Sequence, residues 1–278
     1  MKRHFMRLTQ IFIVLAGALS CTGANLYKDL VSNRTSDEAL FEDAQKLIDS
    51  GDYTAAIDKL LSTTTDFQAT TRVKESLAGA YAGRCGMEFL PFVTNLTGGS
   101  SSSLFSMAMN GFVGVDTSNY ADCETADAII ESIGTLNNRT QSENLFMLIL
   151  QMAKIGNRVR SVADVAPTST GDGTTDATFD CRDSVPIADA QIIIESFVKF
   201  LEVFSVVGST VAGSSASTAV DNFIQDVGVP TIDYEANGVA GVDELDPAIV
   251  LARTLLNSQA FGVGSCNNAD PTTCVCPP

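Results

Sequence analysis

Seven cysteines, at positions 21, 85, 123, 181, 266, 274 and 276, are the residues of this chain with the most chemistry to offer. Beyond Cys21 there are Cys85, Cys123, Cys181, Cys266, Cys274 and Cys276, an even set that suits disulfides in an exported chain. Zinc is the competing chemistry. Against it, Cys274-Val275-Cys276 lacks the two-residue spacer of common zinc motifs, and the one histidine of the chain is His4. A redox Cys-x-x-Cys is missing as well. Structural bridges are therefore expected, with Cys85 joined to Cys123. Cys181 and Cys266 are expected to pair with the two tail cysteines, whose mutual bridge across one residue would strain the bond. Which tail cysteine takes which partner stays open.

Carboxylates are the second chemical resource. Asp172, Asp176, Asp180 and Asp183 share one segment with Gly171 and Gly173, the kind of loop that can supply oxygen ligands to calcium. The alternation and terminal glutamate of an EF-hand are absent, so a solvated, flexible acidic loop is expected. Asp243, Glu244 and Asp246 stand before Pro247 and suit the N-terminus of a helix. Paired carboxylates can hydrolyse glycosides, but no acidic pair is set apart from the ordinary surface. Aromatic residues are 7% with no Trp, so stacking faces for sugars are scarce. With no histidine beyond His4, Ser-His-Asp and Cys-His hydrolysis are excluded from the body. Gly98-Gly99 runs into serines without the lysine of a phosphate loop. The expectation is a non-enzyme with no catalytic residue, no metal ligand and no cofactor.

The scaffold that carries these residues reads as all-α. Hydrophobic residues are 45% of the 278, enough for a core. Leu40, Phe41, Ala44, Leu47 and Ile48 recur at helical spacing after Ser36, and Gly51-Asp52 ends that helix. Ala55, Ala56, Ile57, Leu60 and Leu61 mark a second helix, and a third is expected over 70–89. Further helices are expected at 104–112, 122–135, 141–164, 187–208, 215–226 and 247–258, with loops at 92–104 and 167–186. Helix 141–164 is apolar on all sides near Leu145–Leu150, which places it in the centre of the core. Lys154, Arg158 and Arg160 make its exit basic, suited to the helix dipole and to ion pairs. In helix 187–208, Glu195 and Lys199 are placed to pair as i,i+4 neighbours.

The first helices resemble the tetratricopeptide repeat. Ala44, Leu47, Gly51, Tyr53, Ala56 and Leu60 stand at that family's small, bulky and turn positions. Leu77-Ala78-Gly79-Ala80-Tyr81 matches the first helix of a following repeat, Ala78 lying 34 residues after Ala44. The resemblance covers about residues 36–88. It implies helical hairpins in which Ala44, Ala56 and Ala78 sit at close crossings and Tyr81 fills a groove, merging into a compact helical bundle. Cys85 occupies the place of the turn glycine, with Gly86 one position late.

The N-terminus carries an address. Lys2, Arg3 and Arg7 precede an apolar run from Ile11 to Leu19, the order of a secretory signal peptide. Ala18-Leu19-Ser20-Cys21 resembles the lipobox of bacterial lipoproteins, with Leu19 one place nearer the cysteine than that family's usual leucine. The resemblance implies cleavage after residue 20, acylation of Cys21, and, because Thr22 is not Asp, sorting to the outer membrane. Domain organisation is then 1–20 signal peptide, 21–35 lipidated tether, 36–265 helical domain and 266–278 cystine-bound tail. Losing the three leader cations moves the formal charge from -16 to -19, which disfavours nucleic acid and anionic lipid surfaces as partners. The expected function is a periplasm-facing scaffold that binds a protein partner, one of basic character by charge. The alternative is a periplasmic module for an apolar small molecule associated with transport, marked by a Phe- and Met-lined pocket.

Overall fold

Three short polar motifs set the boundaries of the first helices. The Ser36 hydroxyl accepts from the Ala39 amide and starts α1 (Asp37–Asp49), with Asp37 and Glu38 in the first turn and Lys46 in the last. Gly51 takes a φ of 78°, and the Asp52 carboxylate accepts from the Ala55 amide to start α2 (Tyr53–Leu61). Asp37 also accepts from the Thr64 amide at 2.8 Å, fixing the turn before α3 (Thr65–Gln68). The computed structural model describes residues 35–87, 103–165, 171–211, 243–268 and 270–276. The signal peptide, Cys21, nearly all of the tether, the loop at 92–102 and the helix expected at 215–226 lie outside these residues.

α4 is shorter than its sequence pattern suggests, spanning Thr71–Arg84. Gly86 stops it: its φ is 101°, and the Met87 amide reaches back to the Ala82 carbonyl at 3.0 Å. Phe89 lies outside the described residues. α1, α2 and α4 pack through two small clusters. Ala44, Leu60 and Val73 form one, with Phe41 and Phe67 against it. Ala56, Ile57 and Ala80 form the other, with Leu47, Tyr53 and Tyr81 against it. Ala78, also fully buried, faces the main core instead, and Tyr81 is half-buried between the two.

The main core is built around one long helix. The later helices are α5 (Leu104–Asn110), α6 (Tyr120–Glu131), α7 (Gln141–Ala163), α8 (Ile187–Val211) and α9 (Pro247–Asn257). α7 packs against α5, α6 and α8, and α9 packs against α8. A capping box starts α7, Thr140 and Glu143 bonding each other's backbone amides. Its middle is buried on every side from Met147 to Asn157, which is why no polar face is legible there. Gly156 lets α5 approach closely, since a Cβ there would stand 2.2 Å from the Ala108 carbonyl oxygen. The phenylalanines fill the space between helices. Phe105 meets Phe197 edge-on at 5.5 Å, and Phe197, Phe200 and Phe204 follow one another along α8.

The fold is all-α. Among the described residues no strand occurs, only an isolated bridge between Ser258 and Cys266. No described helix is long and apolar enough to cross a membrane. Three disulfides staple the body: Cys85–Cys123 ties the end of α4 to α6, Cys181–Cys276 ties the tail to the 171–186 loop, and Cys266–Cys274 closes the tail on itself. A short 3-10 turn, Pro271–Thr273, lies between the last two tail cysteines and Cys266.

Candidate functional site

Two arrangements of side chains stand out in this scaffold. The first is a charged seam where α6, α7 and α8 meet. Along α6, Tyr120, Glu124, Asp127 and Glu131 recur on one face. The Lys154 ammonium on α7 reaches Asp127 at 2.6 Å and Glu124 at 3.1 Å, and the side chains of Lys154 and Asp127 are 5% and 4% exposed. Lys199 on α8 reaches Asp127 at 3.2 Å and Glu131 as well. Burial pushes the Asp127 carboxyl up, but Lys154 and Lys199 outweigh it and hold the group below the usual carboxylate range. Burial likewise opposes the charge on Lys199, and Asp127 and Glu131 more than compensate, raising its proton affinity.

At one end of the seam the Tyr120 hydroxyl donates to Glu124, and burial with the Glu124 charge pushes its proton affinity far up. Arg158 stacks over the Tyr120 ring at 4.2 Å and pairs with Asp189 at 3.2 Å. Glu195 does not pair with Lys199 as the sequence spacing suggested. Lys199 turns across the helix interface to Asp127 and Glu131, because two carboxylates there hold one ammonium better than one neighbour on its own helix. Glu195 instead accepts from Gln191 at 3.0 Å, and burial raises its proton affinity above the usual carboxylate range.

The basic exit of α7 is thereby accounted for without an anion. Lys154 serves Asp127, Arg158 serves Asp189, and Arg160 donates to Thr117 at 3.2 Å. Asp127 was not singled out by sequence, although the stripe Tyr120-Glu124-Asp127-Glu131 on a helix with buried neighbours is the signal that marks it.

The acidic loop is more ordered than its composition suggests. Asp172 accepts from the Thr174 amide, Asp176 from Val165, and Asp180 from both Arg182 and Asp183 at 2.8 Å. The buried Asp164, unremarked in the sequence, accepts from the amides of Asp172 and Gly173 and anchors the loop to the end of α7. These carboxylates hold backbone turns, and the segment is a set of capped turns rather than a flexible one. Asp180, Cys181 and Cys276 are close enough together to share a metal ion, but both sulfurs are joined in the Cys181–Cys276 disulfide. Asp246 caps α9 through the Ala248 amide, Asp243 accepts from Leu245, and Glu244 pairs with Arg253.

The second arrangement is a cleft of about 300 Å³ under the tail. Leu245, Val250, Val275, Arg182, Glu244, Arg253 and Cys276 line it. Three residues carry its apolar surface: Leu245 is 82% exposed, Val275 58% and Val250 36%. Arg253 is nearly buried, one terminal nitrogen on Glu244 and the other on the Val185 carbonyl at 2.7 Å, while its Nε is buried without a hydrogen-bond partner. Arg253 in turn holds the Glu244 carboxyl below the usual range. No Phe or Met is among these lining residues, in contrast to the wall that would have marked a module for an apolar small molecule.

No protein-family model matches the chain, and neither a curated protein nor a solved structure matches it. The chemistry of the cleft must therefore be read from its own residues. An exposed aliphatic wall beside guanidinium groups can bury an apolar side chain and hold an oxygen acceptor next to it.

Proposed function

We propose that this chain is a non-enzymatic lipoprotein, anchored at the outer membrane through Cys21 and facing the periplasm, whose helical body is a protein-interaction scaffold. The observation that carries the reading is the tail cleft, where Leu245, Val250 and Val275 gather exposed apolar surface at one place. Two disulfides, Cys181–Cys276 and Cys266–Cys274, hold that wall in position. Apolar surface kept outside a core of this size suits a protein contact. Three disulfides suit an oxidising compartment, in keeping with the leader and with Ala18-Leu19-Ser20-Cys21. The buried contacts of Ala44 and Ala56 support the likeness of the first hairpin to tetratricopeptide repeats, whose grooves bind extended peptides. The charged seam supports a body whose ionisable groups hold helices together.

The test uses the full chain expressed in a diderm bacterium with a photo-crosslinking residue at Leu245. The wild type is expected in the outer-membrane fraction and the Cys21→Ala variant in the soluble periplasm. Leu245 is expected to give discrete adducts. Identical soluble fractionation of both chains removes the anchor, and the absence of adducts removes the scaffold.

A further inference from the structure

We propose that the tail cleft is a receptor for the free C-terminus of a partner polypeptide that ends in an aliphatic residue, an inference that rests on the scaffold reading above. The terminal carboxylate sits on Arg182, with the Arg253 charge behind it, and the last side chain lies on Leu245, Val250 and Val275.

Size is the first ground. A cleft of about 300 Å³ is at the small end of ligand sites. A C-terminal residue carries its carboxylate and its aliphatic side chain on one Cα, so both fit within that span. Capture of a C-terminal carboxylate is a recurrent mode of peptide recognition.

Unmet hydrogen bonding is the second ground. Arg253 is 5% exposed and its terminal nitrogens are held by Glu244 and the Val185 carbonyl, so it brings charge to the cleft rather than an open donor. The Arg182 side chain makes no hydrogen bond or ion pair among the described residues, Asp180 and Glu244 acting on it only through space. A carboxylate entering the cleft gives Arg182 the partner it lacks.

Charge at the cleft is the third. The chain as a whole carries -16, but at the cleft Arg182 and Arg253 offset Glu244 and the neighbouring Asp180, so a carboxylate meets less repulsion there than on the rest of the body. Screening confines each charge to about 8 Å at physiological ionic strength, so the cleft selects on its own groups. The overall charge acts at longer range, on encounter with a partner.

The experiment uses the full-length lipidated chain in nanodiscs. Its probes are acetyl-Ala-Ala-Val-Leu with a free carboxylate, the same peptide as its amide, and octanoate. The acid peptide is expected to bind saturably and the amide at least about tenfold more weakly. Arg182→Gln is expected to weaken the acid peptide by a similar factor with the circular dichroism intact, since its side chain makes no hydrogen bond or ion pair among the described residues. Leu245→Asp, at a position 82% exposed, is expected to abolish binding with the circular dichroism intact. Equal binding of acid and amide, or no saturable binding, overturns the proposal. Octanoate binding as tightly as the peptide also overturns it, assigning the cleft to free monocarboxylates. If acid and amide bind alike while Leu245 adducts persist in cells, the scaffold stands and the C-terminus receptor falls.

Discussion

The ring of Tyr53 occupies the space that a side chain at Gly83 would need: a Cβ there would stand 2.3 Å from Tyr53 Cζ. Gly83 is thus what lets α2 lie against α4 with the tyrosine between them. Gly83→Ala forces the ring outward, and because Tyr53 is half-buried the cost is at the low end for overpacking, roughly 1 kcal/mol. Thermal unfolding of Gly83→Ala, Tyr53→Ala and the double variant measures it. The double variant is expected to lose less than the two singles together, and strict additivity would refute the contact.

Lys154→Met removes the closest partner of a buried carboxylate. Asp127 is then left with Lys199, at 3.2 Å, as its one cation, and the expected loss is about 3 kcal/mol. Replacing Asp127 by Leu in the same chain removes the stranded charge and restores part of the stability. Urea unfolding of the single and double variants checks the order. A double variant less stable than Lys154→Met contradicts the pairing.

Glu195 makes stability depend on pH in a direction opposite to Asp127. Burial raises the Glu195 proton affinity, with Glu124 adding and Gln191, Lys154 and Lys199 subtracting, so its ionised form is disfavoured in the fold. Glu195→Gln is therefore expected to be more stable than wild type at pH 7. The gain disappears as the pH falls through the raised Glu195 value and then the ordinary carboxyl range, where Glu195 is neutral in the folded and the unfolded chain alike. Asp127, held below the usual range, contributes stability above the unfolded carboxyl range that is lost as the pH falls through its folded value. Unfolding free energies from pH 3 to 8 for wild type and Glu195→Gln test the sign. A variant that is less stable at neutral pH and equal in acid has the sign reversed and overturns the assignment.

Cys276→Ser opens the bridge to Cys181, which spans 95 residues, and leaves Cys266–Cys274 in place. By chain restriction alone the loss is about 4–5 kcal/mol. The Val275 wall of the cleft is expected to loosen while α7 and its neighbours stay folded. Peptide mapping without reduction should find Cys85–Cys123, Cys181–Cys276 and Cys266–Cys274. A tail peptide with two free thiols would falsify the stapled tail.

Much of the fold is legible in the order of residues because its signals are local. Ser36, Gly51-Asp52, the Thr140 to Glu143 capping box and Asp246-Pro247 mark helix ends through bonds to amides two or three residues away. The all-round apolar run of α7 marks a core helix without reference to any other element. Cysteine number and spacing point to bridges, and strain across Cys274-Val275-Cys276 separates the two tail partners. The choice of Cys276 for Cys181 and Cys274 for Cys266 belongs to tertiary structure, because it depends on where the 171–186 loop meets the end of α9. The same holds for Lys199, whose sequence neighbour Glu195 loses to Asp127 and Glu131 on another helix. It holds too for the cleft, where Arg182, Leu245 and Val275 come together from three distant segments. Local chemistry acts over a few bonds along the chain, while desolvation and charge pairing act through space, and only packed helices decide which groups share that space.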